Sequence, residues 1–241
     1  MIAAFSLIAS ICGCKPSSPA VSPPASATAQ ERDSPNAVGA GAPSGRRSRR
    51  GRAGTQAAPG DFDFYLLNLS WSPEFCATHA SSSECGRGLG FVVHGLWPQN
   101  FNGNYPERCS DAPGPSNPQA YIDLIPTVSL VEHEWQTHGT CSGLAADAYF
   151  AAIRAAYSRV KIPAEIGSAS GPASVTPQQF LARFAQVNPA FPSGSLALSC
   201  GNNRLTAIEL CLSKDLQPES CQGVRSCRAN AIQIAPRERG E

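Results

Sequence analysis

Glu132-His133-Glu134-Trp135-Gln136-Thr137-His138-Gly139-Thr140-Cys141 is the stretch around which the chain is organised, and about forty residues before it stands a second motif, His94-Gly95-Leu96-Trp97-Pro98. Together they hold three of the four histidines in 241 residues. A single histidine is commonly a satisfied core group, whereas titratable residues gathered in compact motifs mark a site. His133-Glu134 with a further histidine downstream invites comparison with the H-E-x-x-H zinc helix. The spacing argues against it, because residues five apart on a helix point about 140° away from each other. Glu134 and His138, four apart, share a helical face, as do His133 and Thr137. That arrangement suits proton transfer and phosphate handling, so no metal and no cofactor are expected.

Two imidazoles and a carboxylate match one reaction closely. RNA carries its own nucleophile, the ribose 2′-hydroxyl. Its cleavage needs a base for that hydroxyl, an acid for the departing 5′-oxygen, and cationic groups around the phosphorane. Histidine serves both proton roles because its pKa lies near about 6.5.

Working outward, residues 62–71 form an unbroken aromatic and aliphatic run with apolar side chains at both parities, as in a strand covered on both faces. Residues 90–93 read as a short strand running into His94, and residues 205–212 and 231–234 read as late strands. Tyr149, Phe150, Ile153, Tyr157 and Val160 recur at helical spacing, and Pro163 closes that segment. Thr176-Pro177-Gln178-Gln179 is a capping box opening a helix that carries Phe180, Phe184 and Val187. The expected fold is α+β, a mainly antiparallel central sheet flanked by helices.

Charge and composition divide the chain. Residues 1–60 hold seven Lys or Arg against two acids and residues 61–241 hold twelve against sixteen, a net +5 and −4. Ten cysteines without a C-x-x-C pair point to an oxidising compartment. Residues 1–14 read as a signal peptide whose apolar run, 2–11, is too short to span a bilayer. Its end, Ile11-Cys12-Gly13-Cys14, resembles a bacterial lipoprotein signal, with Cys14 as the acylated residue after small Gly13. Export is expected, to the periplasm or outer envelope of a bacterium with a lipid anchor at Cys14, or otherwise by plain secretion. Residues 15–60, rich in Pro, Ala, Ser and Gly and without an aromatic, read as a disordered linker. Within it, Arg46-Arg47-Ser48-Arg49-Arg50-Gly51-Arg52 is either a solvated charge run or an attractor for RNA and anionic surfaces. The compact domain is expected over 61–241.

HGLWP followed by HEWxxHGTC resembles the two active-site segments of the ribonuclease T2 family. The likeness extends over 61–241, including Asn102-Gly103-Asn104-Tyr105-Pro106 and the cysteine layout. It implies a disulfide-stapled monomer that cleaves single-stranded RNA, with low base specificity, through a 2′,3′-cyclic phosphate. It implies His138 as base, His94 as acid, His133 on the substrate phosphate and Glu134 stabilising the pentacovalent state. Trp97 and Tyr105 match base-stacking positions, a contact worth about 1–3 kcal/mol per base. The implied bridges are Cys109 with Cys141, Cys76 with Cys85, Cys200 with Cys227, and Cys211 with Cys221. His79 is read as a surface loop residue.

Two positions depart from the family pattern. Thr137 stands where a Lys usually precedes the last histidine, and Gln99 where an Asp or Asn often borders the base pocket. Loss of one charge stabiliser costs about 10²–10³-fold, so a slower enzyme is expected. An RNA-binding protein that has lost catalysis on the same scaffold, and a zinc hydrolase, are the rival readings. The two-histidine chemistry and the negative domain place the optimum on the acid side, about pH 5–6.5.

Overall fold

The computed structural model describes residues 57–167 and 174–237. The leader with Cys14 and the Arg46–Arg52 run lie outside the described residues. The folded part begins slightly earlier than expected: the Gly60 amide donates to the Cys141 carbonyl at 2.9 Å, and the Gly60 carbonyl accepts from Lys214 Nζ at 3.0 Å.

The central strand is β1, Phe64–Trp71, with β2, Phe91–Gln99, on one side and β5, Arg204–Leu212, on the other, both antiparallel to it. β4, Leu196–Gly201, pairs antiparallel with β5. Two short strands, β6 at Ile232–Gln233 and β3 at Ser174–Val175, continue the sheet beyond β5, giving the order β2-β1-β5-β6-β3. A single parallel pairing, Arg204 with Gln233, interrupts the antiparallel pattern. Burial on both faces explains the apolar run of β1. Leu67, Leu69 and Trp71 enter the main core, whereas Phe64 and Leu66 join a smaller cluster with Cys211 on the opposite face.

The main core is closed by helices. α1, Ser72–Cys76, follows β1 directly; α2 is Val128–Thr137, α3 Ala146–Tyr157, α4 Ala164–Gly167 and α5 Pro177–Val187. α3 buries Tyr149, Phe150 and Ile153 completely, and α5 does the same with Phe180 and Phe184. The capping box forms: Thr176 Oγ1 accepts from the Gln179 amide and Gln179 Oε1 from the Thr176 amide, both at 3.1 Å. α3 stops at Tyr157, short of Val160. There Asn188 ties the extended chain from both sides, Oδ1 accepting from the Lys161 amide and Nδ2 donating to the Lys161 carbonyl, each at 2.7 Å.

β2 differs from expectation in a way that matters for the site. It runs on to Gln99, so the whole HGLWP motif lies within a strand. Pro98 is tolerated because β2 is an edge strand, where a missing N–H faces no neighbour. Asn68 pairs with Gly95 and Leu69 with Val93, leaving His94 as the extra residue of a β-bulge. The last strand is also shorter than expected, two residues at Ile232–Gln233.

Four disulfides staple the fold: Cys76–Cys85, Cys109–Cys141, Cys200–Cys227 and Cys211–Cys221. Cys109–Cys141 fixes the loop after β2 to the turn that follows α2. A native bridge of this kind contributes about 2–4 kcal/mol. Replacing Cys109 and Cys141 together by Ser should lower unfolding stability by that amount in urea titration. An unchanged midpoint would show that the bridge is not a structural staple.

Candidate active site

Two elements deliver the motif residues to one place. The bulge in β2 puts His94 out of the regular pleat, and α2 lies across Gly95. α2 begins at Thr127, whose Oγ1 accepts from the Leu130 amide at 3.2 Å, and is held to the loop at 110–115 by Trp135 Nε1 donating to the Ala112 carbonyl at 2.9 Å. From α3, the Tyr149 hydroxyl donates to the Leu96 carbonyl at 2.9 Å and fixes the centre of the first motif. Gly95 is required by proximity: a Cβ there would collide with the Glu134 carboxyl and with Trp97 Nε1.

Glu134 is fully buried at the centre. Its Oε2 accepts from Trp97 Nε1 at 2.7 Å, and its Oε1 lies 3.5 Å from His94 Nε2 with no hydrogen-bond partner of its own. Trp97 stands between the histidines, its ring centroid 5.4 Å from His94 and 5.1 Å from His138; His133 and His138 are 6.4 Å apart. His133 is exposed and His138 is buried, with Nδ1 unpaired. Thr137 is buried with its hydroxyl unpaired. Gln99, at the end of β2, and Tyr105, in the following loop, line neither of the two hollows that reach His94. His79 is exposed and stacks on Phe75 at 4.4 Å.

Burial sets the protonation states. Burial pushes the Glu134 carboxyl up to about 8, against a smaller opposing pull from the Trp97 hydrogen bond. Partial burial, helped by the neighbouring His133, brings His94, whose side chain is 36% exposed, down to about 4. Burial, then the charges of His133, His94 and Arg108, bring His138 down to about 3. The 3.5 Å contact between His94 and Glu134 is thus a neutral imidazole beside a protonated carboxyl at neutral pH, rather than an ion pair. Between about 4 and about 8 the pair carries one proton.

The expectation that spacing keeps the histidines of the second motif apart is overturned. α2 ends at Thr137, and His138 is its cap, with φ −116° and ψ −44°. Ligand atoms of His133, Glu134 and His138 consequently lie within 4.8 Å of one another. These three are the group among the described residues that offers a metal ion a set of ligands. A protonated Glu134 already engaged with Trp97 is a poor member of that set, because ligation requires the carboxylate.

Sequence reasoning passed over several residues beside the site. Asn68, Ser70 and Glu209 are polar residues set in apolar strands at the outward-facing parity, a readable signal. Arg108 is held at φ 52° with its amide donating to the Thr137 carbonyl at 2.9 Å, and it places a cation in the neighbourhood of His138.

The protonated state of Glu134 has a measurable effect on stability. A folded pKa of about 8 against an ordinary 4.5 means that the folded protein holds a proton the unfolded chain has released, so stability is lost as pH rises across that window. The loss is at most about 1.4 kcal/mol per pH unit. Glu134→Gln should be increasingly more stable than the parent from pH 5 to 8 in urea titration. A constant difference would contradict a carboxyl protonated by burial.

The Ribonuclease T2 family model matches residues 62–221. A ribonuclease of Aeromonas hydrophila is 51% identical over 87 residues, 35% of this chain and 40% of that protein. A probable ribonuclease of Haemophilus influenzae is 32% identical over 186 residues, 69% of this chain and 64% of the relative. The chain thus spans less than two thirds of the length of either. Ribonuclease DdI of Dictyostelium discoideum is 31% identical over 191 residues, covering 68% and 84%. The solved structure of RNase NT in complex with 5′-AMP superposes with a TM-score of 0.59 at 20% identity, over 73% of this chain and 99% of that one. An RNase-related protein from Calystegia sepium gives 0.59 at 21%, over 73% and 97%, a likeness of fold. With the family model matching residues 62–221, HGLWP on the bulged strand and HEWxxHGTC running from the end of α2 into the turn after it, the chain belongs to the ribonuclease T2 family.

Proposed function

We propose that the chain is an exported endoribonuclease that cleaves single-stranded RNA, with low base specificity, through a 2′,3′-cyclic phosphate. The observation that carries this reading is the convergence of His94, His133, Glu134 and His138 around Trp97, with one proton held on the His94–Glu134 pair and none on His138. A base must be neutral at the start, and the acid must hold its proton by the time the 5′-oxygen departs. His138, kept neutral by burial, is the base that takes the 2′-hydroxyl proton. His94 is the acid that protonates the departing 5′-oxygen.

Glu134 acts as the proton store for His94. In the free protein the proton rests on Glu134, where burial disfavours the charged carboxylate. Negative charge gathering on the phosphorane favours a cationic His94, and closing the 3.5 Å separation to hydrogen-bond length lets the proton cross to it. His133, exposed at the mouth, holds the phosphate. Arg108 supplies a charge close to the place where Thr137 offers a hydroxyl alone. Trp97 and Tyr105 are stacking surfaces and Gln99 and Thr137 further substrate contacts; no cofactor is used, and the domain works as a monomer. Four disulfides and an apolar leader support export, with lipid anchoring at Cys14 as its bacterial form.

His94→Ala and His138→Ala should each reduce kcat/KM by about 10²–10⁴-fold. His133→Ala should act mainly on KM. A variant at His94 or His138 that keeps a tenth of the parental rate would remove that residue from the proton chemistry. Activity should survive EDTA, and its loss with recovery on adding zinc would favour the metal reading.

The pH dependence separates the proton store from a simple pair of histidines. The one-proton window should sustain kcat/KM from the acid side up to about pH 8, with binding to the negative domain strengthening as pH falls. Glu134→Gln should move the alkaline limb to lower pH, because His94 then titrates alone. A limb that stays in place would show that Glu134 does not load the acid.

A further inference from the structure

We propose that the arginine run at 46–52 is an RNA-recruiting arm, rooted by the fold beside the catalytic turn so that it gathers the phosphates of a long RNA near the histidines. The inference rests on the ribonuclease reading above and adds to it a second contact with the substrate, outside the active site.

The domain is poorly supplied with free positive charge. Residues 61–241 are net −4, and six of the described cations are committed within the fold. Arg154 and Arg204 pair with Asp123 and Glu74. Arg87, Arg159, Lys214 and Arg237 donate to backbone carbonyls. Of the described Lys and Arg, Arg108 is the one whose charge is felt at His138. Proteins draw much of their affinity for nucleic acid from Lys and Arg that displace counterions from the phosphates. The charge that the domain lacks stands immediately upstream of it, five arginines in seven residues.

What brings the run to the site is its root. Gly60 turns the chain at φ 87°. Its amide donates to the Cys141 carbonyl at 2.9 Å, and the Cys141 amide donates in turn to the His138 carbonyl at 3.0 Å. Two hydrogen bonds through one residue thus join the root to His138. Lys214 Nζ holds the Gly60 carbonyl at 3.0 Å, and Gly143 lies so close that a Cβ there would come within 3.2 Å of Gly60 Cα. From Gly60 back to Arg52 is eight residues, a span of at most about 28 Å, against a radius of gyration of about 16 Å for a domain of this size. So short a link gives the arginines a high effective concentration at the active site. An anionic lipid surface would gain nothing from a root beside His138, so RNA is the partner that this placement favours.

The test compares the full chain with a variant carrying Arg46→Ser, Arg47→Ser, Arg49→Ser, Arg50→Ser and Arg52→Ser, on polyuridylate and on UpU. On polyuridylate at low salt the variant should have a KM about tenfold or more above the parent's, with kcat unchanged. Its 1/KM should also fall less steeply with salt, the log–log slope being shallower by up to about 3.5, at about 0.7 for each of five charges on a single strand. UpU, with one phosphate, should be cut equally by both. An insertion of about thirty Gly and Ser residues after Gly54, with every arginine kept, should raise the polyuridylate KM towards that of the variant. Equal KM on polyuridylate, an equal loss on UpU, or indifference to the insertion would overturn the proposal with the ribonuclease reading intact. Binding to phosphatidylserine vesicles that the variant loses while its KM on RNA stays at the parent's would assign the run to a membrane and overturn it as well. If the parent cuts neither substrate, the ribonuclease reading fails. Anisotropy titration of a 2′-O-methyl oligouridylate then decides the arm: binding about tenfold tighter by the parent than by the variant supports it, and equal affinity refutes it.

Discussion

The rest of the site depends on burying one carboxyl. Glu134 is enclosed between α2 and β2, held by Trp97 Nε1 at 2.7 Å and pressed against the backbone of Gly95. An ionised carboxylate in that position would be costly, and the group answers by keeping its proton to about pH 8. Its other oxygen faces His94, whose own burial makes it reluctant to hold a proton in the free protein. The two reluctances are complementary. They leave one mobile proton in a place where a developing negative charge can draw it to the imidazole.

Much of the architecture serves to keep that arrangement in register. The β-bulge turns His94 out of the strand at the point where α2 crosses, and the edge position of β2 lets Pro98 follow without breaking a ladder. The end of α2 at Thr137 frees His138 to approach Trp97 and His133. The Cys109–Cys141 bridge and the Arg108 amide bond to Thr137 then clamp the segment just beyond the helix.

The candidate site residues were legible because three rare histidines fall in two compact motifs, the central strand because it is an unbroken apolar run, and the helix cores because their apolar residues recur at period 3.6. The α+β class followed from the order of strands and helices, and the antiparallel sheet from the family resemblance. Other features were not legible, for physical reasons. A bulge is a property of strand pairing, so nothing in Val93-His94-Gly95 alone announces that His94 is the unpaired residue. The argument that five-residue spacing separates His133 from His138 assumed a continuous helix, and helix termination removed its premise. β4 escaped notice because Ser199, Cys200 and Gly201 end it with weak strand formers, and its burial comes from pairing with β5 rather than from its own pattern. The disulfide pairing came from family resemblance, since sequence alone leaves eight cysteines with many partners.

The central claim is that the chain's own imidazoles and carboxyl drive attack by the ribose 2′-hydroxyl. The most direct measurement is end-group analysis of an oligoribonucleotide with one 2′-O-methylated linkage, digested in EDTA and resolved by mass spectrometry. The account predicts fragments ending in 2′,3′-cyclic phosphate at the unmodified linkages and no cut at the methylated one. Cleavage at the methylated linkage, or fragments that carry 5′-phosphate from the outset, would contradict it, because either requires an external nucleophile that this site is not built to activate.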